Sequence, residues 1–191
     1  LLPLQKKKLQ KLSIKNFQFP KKINVSPPIQ YHSYHNQKEH IDCLKKMIRG
    51  VTLVLVPEIH LVDEIHRLLH LQLQRQTAVW HSQLTTNQQF ERWLQIRNGE
   101  KTIIVGTRGA ALLPLPNLQT IIVDYEHDEN HKHWDQAPRF HVHDVVQART
   151  KIGGVRLHYM SFSPSCASYF YIHKKQYQAP RIPAVSPFSF A

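Results

Sequence analysis

Residues 102–144 read TIIVGTRGAALLPLPNLQTIIVDYEHDENHKHWDQAPRFHVHD, and this stretch decides the fold. It contains two apolar, β-branched runs, 102–105 and 120–123, and each run ends in a polar cluster. Gly106, Thr107 and Arg108 follow the first run, and the acidic cluster 124–127 follows the second. Open α/β sheets build their ligand sites where parallel strands end in this way. The stretch therefore predicts two sheet strands with a ligand site at their carboxyl ends.

Apolar runs alternate with helical patterns on both sides of this stretch. The run VTLVLV at 51–56 predicts a strand buried on both faces, and shorter strands are predicted at 77–80 and 155–160. Apolar spacing predicts helices over 39–49, 61–73, 87–97, 142–152 and 166–174. Strands that alternate with helices imply βα crossovers, so we predict an α/β fold with a doubly wound, mostly parallel sheet.

Composition divides the 191 residues into three parts. Residues 1–30 are basic and interrupted by prolines, which predicts an arm or linker with at most a short helix near 4–12. Residues 31–175 carry the alternating pattern and are predicted to form one lobe. Residues 176–191 contain three prolines and are predicted to be an irregular tail. The first residue is Leu1 rather than Met, which we expect of a fragment or a processed product.

The charge of the chain favours a polyanionic partner. The net charge is +12, and residues 1–38 contain eight lysines, Lys6, Lys7 and Lys8 among them, but no acidic residue. Such a one-signed segment favours nucleic acid, the alternative being a solvated arm that binds nothing specific. No apolar run approaches the roughly 18 residues of a membrane span, and no apolar segment typical of a signal peptide follows the basic start. Two cysteines without metal-type spacing fit a reducing compartment, so a cytoplasmic location is expected.

Eight short motifs occur in an order known from one helicase family, and they cover about residues 50–170. They are LVPEI (55–59), WHS (80–82), WLQIRNGE (93–100), VGTRGA (105–110), LPLPNL (113–118), DYEH (124–127), DQAPRF (135–140) and SFSPS (161–165). Taken together they resemble the first motor lobe of superfamily II DNA helicases of the primosomal replication-restart (PriA) type.

The resemblance implies a RecA-like nucleotide-binding lobe from an ATP- and Mg²⁺-dependent helicase that restarts stalled replication forks. It implies that Asp124, as the Mg²⁺ ligand, and His127 are the catalytic remnant of the acidic box. It also implies that Gly106, Thr107 and Arg108 contact the DNA backbone, and that Ser161 and Ser163 belong to a coupling motif. Members of the family also have a second lobe and a zinc-binding insertion, for which this sequence has no room.

Two motifs needed for hydrolysis depart from the family pattern. The phosphate loop should be rich in glycine so that backbone N–H groups approach the ligand, but residues 31–39 read YHSYHNQKE. Lys38 is only a weak candidate for the phosphate-binding lysine, because an alternative alignment puts Gln37 there. In the acidic box Tyr125 replaces the catalytic glutamate, and a phenol is a poor base at neutral pH. Glu126 is expected to point the other way.

We therefore expect a lobe that is deficient in ATP hydrolysis, needs no cofactor on its own, and still binds forked or single-stranded DNA. Two alternatives stay open: a piece of a working ATP-dependent helicase in replication restart, and a module that binds replisome or primosome proteins. The histidine-rich segment 127–143 also leaves a zinc site open, but beyond possible Mg²⁺ at Asp124 no metal is expected.

Overall fold

The computed structural model describes residues 27–69, 71–132 and 139–180. The lysine-rich arm with Lys6, Lys7 and Lys8, the short helix predicted near 4–12, and most of the tail lie outside the described residues.

One sheet of seven strands forms the centre of the lobe. Its strands are β1 Ile29–Ser33, β2 Val51–Leu55, β3 Thr77–Trp80, β4 Ile103–Gly106, β5 Leu118–Asp124, β6 Arg156–Ser161 and β7 Tyr177–Gln178. They lie in the order β3-β4-β2-β5-β6-β1-β7. Every pair of neighbouring strands is parallel, so all the carboxyl ends face the same edge of the sheet.

Six α-helices connect the strands within the described residues. They are α1 Gln37–Met47, α2 Ile59–Leu68, α3 Leu71–Arg75, α4 Thr86–Arg97, α5 Val142–Gly153 and α6 Cys166–His173. Short 3₁₀ turns at Arg108–Leu112 and Glu129–His131 follow β4 and β5. None of the described helices is both long enough and apolar enough to cross a bilayer.

Local signals explain where the main helices begin and end. Asn36 caps α1, because its side chain accepts a hydrogen bond from the backbone N–H of Glu39. Thr85 and Gln88 form a reciprocal capping box at the start of α4. Helix α5 ends at Gly154, whose φ of 63° is the left-handed conformation that glycine adopts without strain.

Both faces of the sheet are covered by helices. Residues from α1 and α2 pack on one face, with Leu44, Met47, Val62 and Ile65 in a single buried cluster. Residues from α4, α5, α6 and the 3₁₀ turn after β4 pack on the opposite face, with a second buried cluster. The apolar runs 51–55 and 118–124 are buried between these layers, as expected for central parallel strands.

The predicted doubly wound α/β fold is confirmed, with two differences in detail. The prediction of one helix over 61–73 is wrong: α2 ends at Leu68, because Leu69 turns to an extended backbone and buries its side chain in the core. The sheet also contains β1 and β7, which the sequence patterns did not indicate. Ile29, Gln30, Tyr177 and Gln178 therefore belong to the sheet, although they lie outside the predicted lobe boundaries of 31 and 175.

Candidate functional site

The predicted site residues lie at the carboxyl edge of the sheet, where β1, β2, β4, β5 and β6 end. Asp124 is the last residue of β5, Ser161 ends β6, and Gly106 ends β4. The loops that follow these strands are joined by backbone hydrogen bonds, such as the one from Tyr34 N–H to the carbonyl of Ser161 at 3.3 Å. The parallel sheet therefore gathers motifs that are distant in sequence.

Asp124 lies at the centre of this edge and has no exposed surface. Nε2 of His40 lies 2.6 Å from its Oδ2. The hydroxyl of Tyr34 donates to its Oδ1 at 3.4 Å, and the backbone N–H of Tyr125 donates to the same oxygen at 2.9 Å. A carboxylate can only accept hydrogen bonds, so Nε2 of His40 carries the proton. Both oxygens of Asp124 are thus engaged by groups of the chain itself.

Three aromatic rings surround this carboxylate. The rings of Tyr34 and His40 are stacked with their centroids 4.4 Å apart, and the ring of Tyr125 meets both edge-on at 6.4 and 5.7 Å. Burial, and then the charge of Asp124, raises the pKa of Tyr34 and also that of Tyr125. Tyr125 has a φ of 51°, so the chain reverses sharply directly after β5. Both phenols stay protonated and act as hydrogen-bond donors or packing groups.

A short connection between β1 and α1 carries Tyr34 into this position. Tyr34 is buried, whereas His35 and Asn36 are exposed and Asn36 caps the helix. Gln37 begins α1, and its side-chain amide donates to Glu64 at 3.3 Å. Lys38 is exposed in the first turn of the helix. The connection is therefore a strand, a tight loop and a capped helix, and its loop contains no glycine.

Glu126, the third residue of the acidic box, is buried and fully engaged elsewhere. Its carboxylate accepts hydrogen bonds from the Ser165 hydroxyl at 2.6 Å, the Ser165 backbone N–H at 3.1 Å and the Ser168 hydroxyl at 2.7 Å. These donors lie at the start of α6, where a negative charge is favourable. Glu126 therefore anchors a helix and does not face the carboxylate of Asp124.

His127 of the acidic box contacts Ser161 of the predicted coupling motif. Nδ1 of His127 lies 2.5 Å from the hydroxyl of Ser161, and that hydroxyl also accepts the backbone N–H of Ser163 at 3.4 Å. The ring of Phe162 meets His127 edge-on with the centroids 4.5 Å apart. The structure thus brings His127, Ser161 and Ser163 together at the ends of β5 and β6.

Three described histidines that follow the acidic box, His131, His141 and His143, are neutral rings, because burial lowers the pKa of each. His131 is fully buried, and its Nε2 lies 2.9 Å from the carbonyl oxygen of Asp124. Burial, and then the neighbouring His141, lowers the pKa of His143 to about 3. Within residues 27–69, 71–132 and 139–180 there is no group of three or more His, Cys, Asp or Glu that could hold a metal ion. His133, which belongs to the same segment, lies outside the described residues.

An open cleft of about 660 Å³ lies beside this cluster, at the ends of β2, β3 and β4. Thr107 and Arg108 line one side of it, and Glu58 and His60 line another. Glu58 accepts a hydrogen bond from Asn130 at 3.2 Å, which ties the cleft to the loop after the acidic box. Gly106 is required here, because a Cβ would lie 2.5 Å from the Trp80 carbonyl oxygen. Of the predicted DNA-contact residues, Thr107 and Arg108 therefore border this concave surface, and Gly106 ends the strand that precedes them.

One residue of the site was missed by sequence reasoning. His40 was not singled out, although its Nε2 makes the shortest of the three hydrogen-bond contacts to the Asp124 carboxylate described above. A signal was present, because His40 shares the buried face of α1 with Ile41, Leu44 and Met47. A histidine within an apolar helical stripe needs a buried partner.

Comparison with known proteins confirms the resemblance inferred from the motifs. The chain is 36% identical over 124 residues to "Replication restart protein PriA" of Synechocystis, which covers 65% of this chain and 15% of that protein. It is 32% identical over 126 residues to the protein of the same name from Bacillus subtilis, covering 66% and 16%. The match to the Helicobacter pylori J99 protein is 34% over 117 residues, covering 61% and 19%. The chain thus spans less than a fifth of these relatives, and no family model matches it.

Solved structures with the same fold are helicase lobes. The C-terminal domain of S. cerevisiae Dbp5, in a complex with Gle1 and IP6, superposes with a TM-score of 0.59 at 13% identity over 81% of this chain and 89% of that chain. The helicase MrfA bound to DNA superposes with a TM-score of 0.52 at 12% identity over 81% and 24%. These likenesses support the RecA-like fold. Over about two thirds of its length the chain is therefore similar to replication-restart proteins, and it shares its fold with these solved structures.

Proposed function

We propose that this chain is a nucleic-acid-binding lobe of the replication-restart helicase type that does not hydrolyse ATP on its own. The observation that carries the proposal is the engagement of Asp124, whose two carboxylate oxygens contact His40, Tyr34 and the Tyr125 backbone. In an active lobe this carboxylate has to be available to Mg²⁺.

The residues present do not fit a bound Mg²⁺–nucleotide. Mg²⁺ needs oxygen ligands in near-octahedral geometry, and the carboxylate that would supply one is buried beneath two aromatic rings. The connection from β1 to α1 has no glycine, and the buried side chain of Tyr34 lies where a phosphate should approach the backbone. Gln37 begins α1. Its amide donates a hydrogen bond to Glu64, and it supplies no positive charge to a phosphate. We therefore assign no step of the chemistry to a nucleotide.

Neither residue after Asp124 suits the role of general base. The pKa of Tyr125 is raised by burial and by the charge of Asp124, so its phenol holds its proton at neutral pH. Glu126 accepts three hydrogen bonds from the start of α6 and is only 2% exposed. A base must reach the proton that it abstracts, and this carboxylate has no free approach.

Nucleic-acid binding is supported by the cleft at the strand ends and by the charge of the chain. Arg108 and the backbone after Gly106 border the cleft, and arginine together with backbone N–H groups suits phosphate oxygens. Lys6, Lys7 and Lys8 add positive charge in the preceding arm. Binding of this kind fixes the protein on the backbone without reading sequence.

The proposal on ATP is tested by titration with a fluorescent ATP analogue and by phosphate release, each with and without forked DNA. We expect no saturable binding in the presence of Mg²⁺ and no release above buffer. Turnover that disappears in the Asp124→Ala variant would overturn this part of the proposal.

The proposal on DNA is tested by fluorescence anisotropy with forked DNA at two salt concentrations. Affinity should fall steeply with salt because each phosphate contact releases counterions. Arg108→Ala should weaken binding several-fold. It should also reduce the slope of log affinity against log salt concentration by about one. Arg49→Ala is the matched control, because Arg49 is exposed and precedes β2 at the opposite edge of the sheet. Salt-independent binding, or equal effects of both variants, would contradict the assignment of the cleft.

A second candidate is favoured by the lengths of the relatives, since the chain matches less than a fifth of each. In this case the chain supplies one lobe of an ATP-dependent helicase whose remaining parts lie outside it. Saturable ATP binding by this chain would support that candidate, because the lobe would then retain a nucleotide site.

A further inference from the structure

Acidic residues are distributed very unevenly along the chain. All 13 Asp and Glu residues lie between positions 39 and 144, where they are matched by eleven Lys and Arg. The two flanks, 1–38 and 145–191, contain no acidic residue and carry eight and six Lys and Arg. The whole positive excess of the chain therefore resides in its two flanks.

The fold brings these two flanks together at one end of the sheet. Strand β1 comes from the first flank, and it lies between β6 and β7, which both come from the second. Helix α6, also from the second flank, packs next to β7. The last three strands of the sheet and α6 thus contain no carboxylate of their own. This end of the sheet is opposite to the cleft at β2, β3 and β4.

A ladder of aromatic rings leads from the core to the surface at this end. Tyr159 contacts Tyr177 with the centroids 5.6 Å apart, Tyr177 contacts Tyr171 at 5.1 Å, and Tyr171 contacts Phe170 at 5.6 Å. Gln147 holds the inner pair, because its amide donates to the hydroxyls of Tyr159 at 3.3 Å and Tyr177 at 3.0 Å. The outer two rings are exposed, Phe170 by 54% and Tyr171 by 37%. The ladder is a rigid support for two exposed aromatic faces.

One lysine lies beside an exposed ring, and a second follows it at the end of α6. Nζ of Lys174 lies 5.6 Å from the centroid of Phe170. Lys175 has a φ of 56°, a conformation that favours glycine, and it turns the chain from α6 into β7. An open cleft of about 530 Å³, lined by Lys175, Tyr177 and Gln178 among others, lies directly next to this turn. A lysine where glycine is favoured places a cation at the rim of the cleft at some cost in backbone strain.

We propose that the surface formed by Phe170, Tyr171, Lys174 and Lys175 is a second binding site, and that its ligand is single-stranded nucleic acid. The two exposed rings stack on unpaired bases, and the two lysines contact the adjoining phosphates. Aromatic rings interleaved with cations are the usual means of binding single strands without reading their sequence. A duplex does not suit the rings, because its bases are already stacked on each other. The acid-free flanks favour a polyanion over a protein surface of mixed charge.

The proposed site is separate from the cleft at the strand ends, and binding there does not depend on ATP. The described part of the chain starts at residue 27, and Ile29 in β1 pairs with Tyr177 in β7. A single strand held by α6 would therefore pass close to the point where the lysine-rich sequence 1–26 joins the described lobe.

The test measures anisotropy of labelled oligo(dT) and oligo(rU) of about 16 nucleotides, a site size typical of stacking folds, and of a blunt duplex, all with the full chain. We expect Phe170→Ala with Tyr171→Ala to weaken binding to both single strands about tenfold or more, since stacking of one base contributes roughly that factor. Binding to the duplex should change less than twofold. Phe170→Ala alone, at the most exposed ring, keeps the test valid if the double variant folds poorly.

The charge contribution is tested with matched lysine pairs. Lys174→Gln with Lys175→Gln should weaken binding to single strands and flatten its salt dependence. Lys45→Gln with Lys46→Gln, an exposed pair in the last turn of α1, should leave both unchanged. Ile152→Ala, another exposed apolar side chain, is the control for loss of apolar surface.

The outcomes separate this site from the cleft at the strand ends. Crosslinking of oligonucleotides that contain 5-bromouracil should place the modified peptide in α6. The proposal is overturned if the α6 variants behave like their controls, if they weaken duplex binding equally, or if Phe170→Leu, which lacks a flat ring, binds as tightly as the parent. Loss of binding in Arg108→Ala alone would uphold the strand-end cleft and remove the α6 site.

Discussion

Replacing His40 with alanine tests whether Asp124 is a structural residue in this lobe. The side chains of His40 and Asp124 are 6% and 0% exposed, and their nearest atoms are 2.6 Å apart. His40→Ala leaves a buried carboxylate with only the long contact to Tyr34 and the backbone N–H of Tyr125. Leaving a buried acceptor without its hydrogen-bond donor costs about 1–3 kcal/mol, and more for charged groups. We expect about 3 kcal/mol here, because the Tyr125 N–H still donates to the carboxylate.

This loss is large enough to be measured by thermal or urea unfolding. For a domain of this size about 3 kcal/mol corresponds to a fall in Tm of roughly 6–12 °C. The matched control is His60→Ala: His60 pairs with Glu58 at 3.1 Å, but the two side chains are 68% and 47% exposed. An exposed pair of this kind contributes about 0–1 kcal/mol, so the control should be almost as stable as the parent.

A second substitution checks the cause of the loss. Asp124→Asn should recover part of the stability in the His40→Ala background, because it removes the unpaired charge while keeping the shape. If His40→Ala costs less than about 1 kcal/mol, or no more than His60→Ala, the pair is not structural and the argument that Asp124 is unavailable to Mg²⁺ loses its basis.

Three further predictions concern other parts of the lobe. Gly106→Ala should destabilise by about 1–3 kcal/mol through overpacking, whereas Gly109→Ala, with no atom within 4 Å of the added Cβ, should be close to neutral in the same urea titration. Glu126→Ala should cost about 2–4 kcal/mol, since it leaves three donors unpaired, and an unchanged unfolding midpoint would contradict the anchoring role. Burial lowers the pKa of His158 to about 4, so below pH 6.5 the unfolded chain binds more protons than the folded one. The free energy of unfolding should therefore decrease as the pH falls from 6.5 to 4. His158→Gln should reduce that decrease, and an identical pH profile would exclude His158 as its source.

The apolar pattern of the sequence was sufficient for most of the sheet and its helices. The run at 51–56 is buried on both faces and carries no polar alternation, so its place as the central β2 followed directly. Strand β1 was not predicted because Ile29–Ser33 reads IQYHS, which has no continuous apolar run and in which only Tyr31 is buried. Strand β7 has two residues, which is too few for any periodicity.

The site residues at strand ends could be predicted from the sequence. The site residue on a helix face could not. Asp124, His127 and Ser161 follow or end strands, and the structure brings all three to one edge of the sheet. The contact of His40 with Asp124 joins residues 84 positions apart, and it depends on how α1 packs against β5. Only the packed structure shows that a helix supplies the partner of this carboxylate.

The pair of His40 and Asp124 also bears on how such a lobe changes over time. A substitution that exposes Asp124 must first remove His40 or move Tyr34. It would lower the stability of the fold before nucleotide binding could offset that change. Restoring glutamate at position 125 alone would leave both oxygens of Asp124 engaged. In the proposed binding role, the contact that closes off Asp124 is therefore also one on which the stability of the lobe depends.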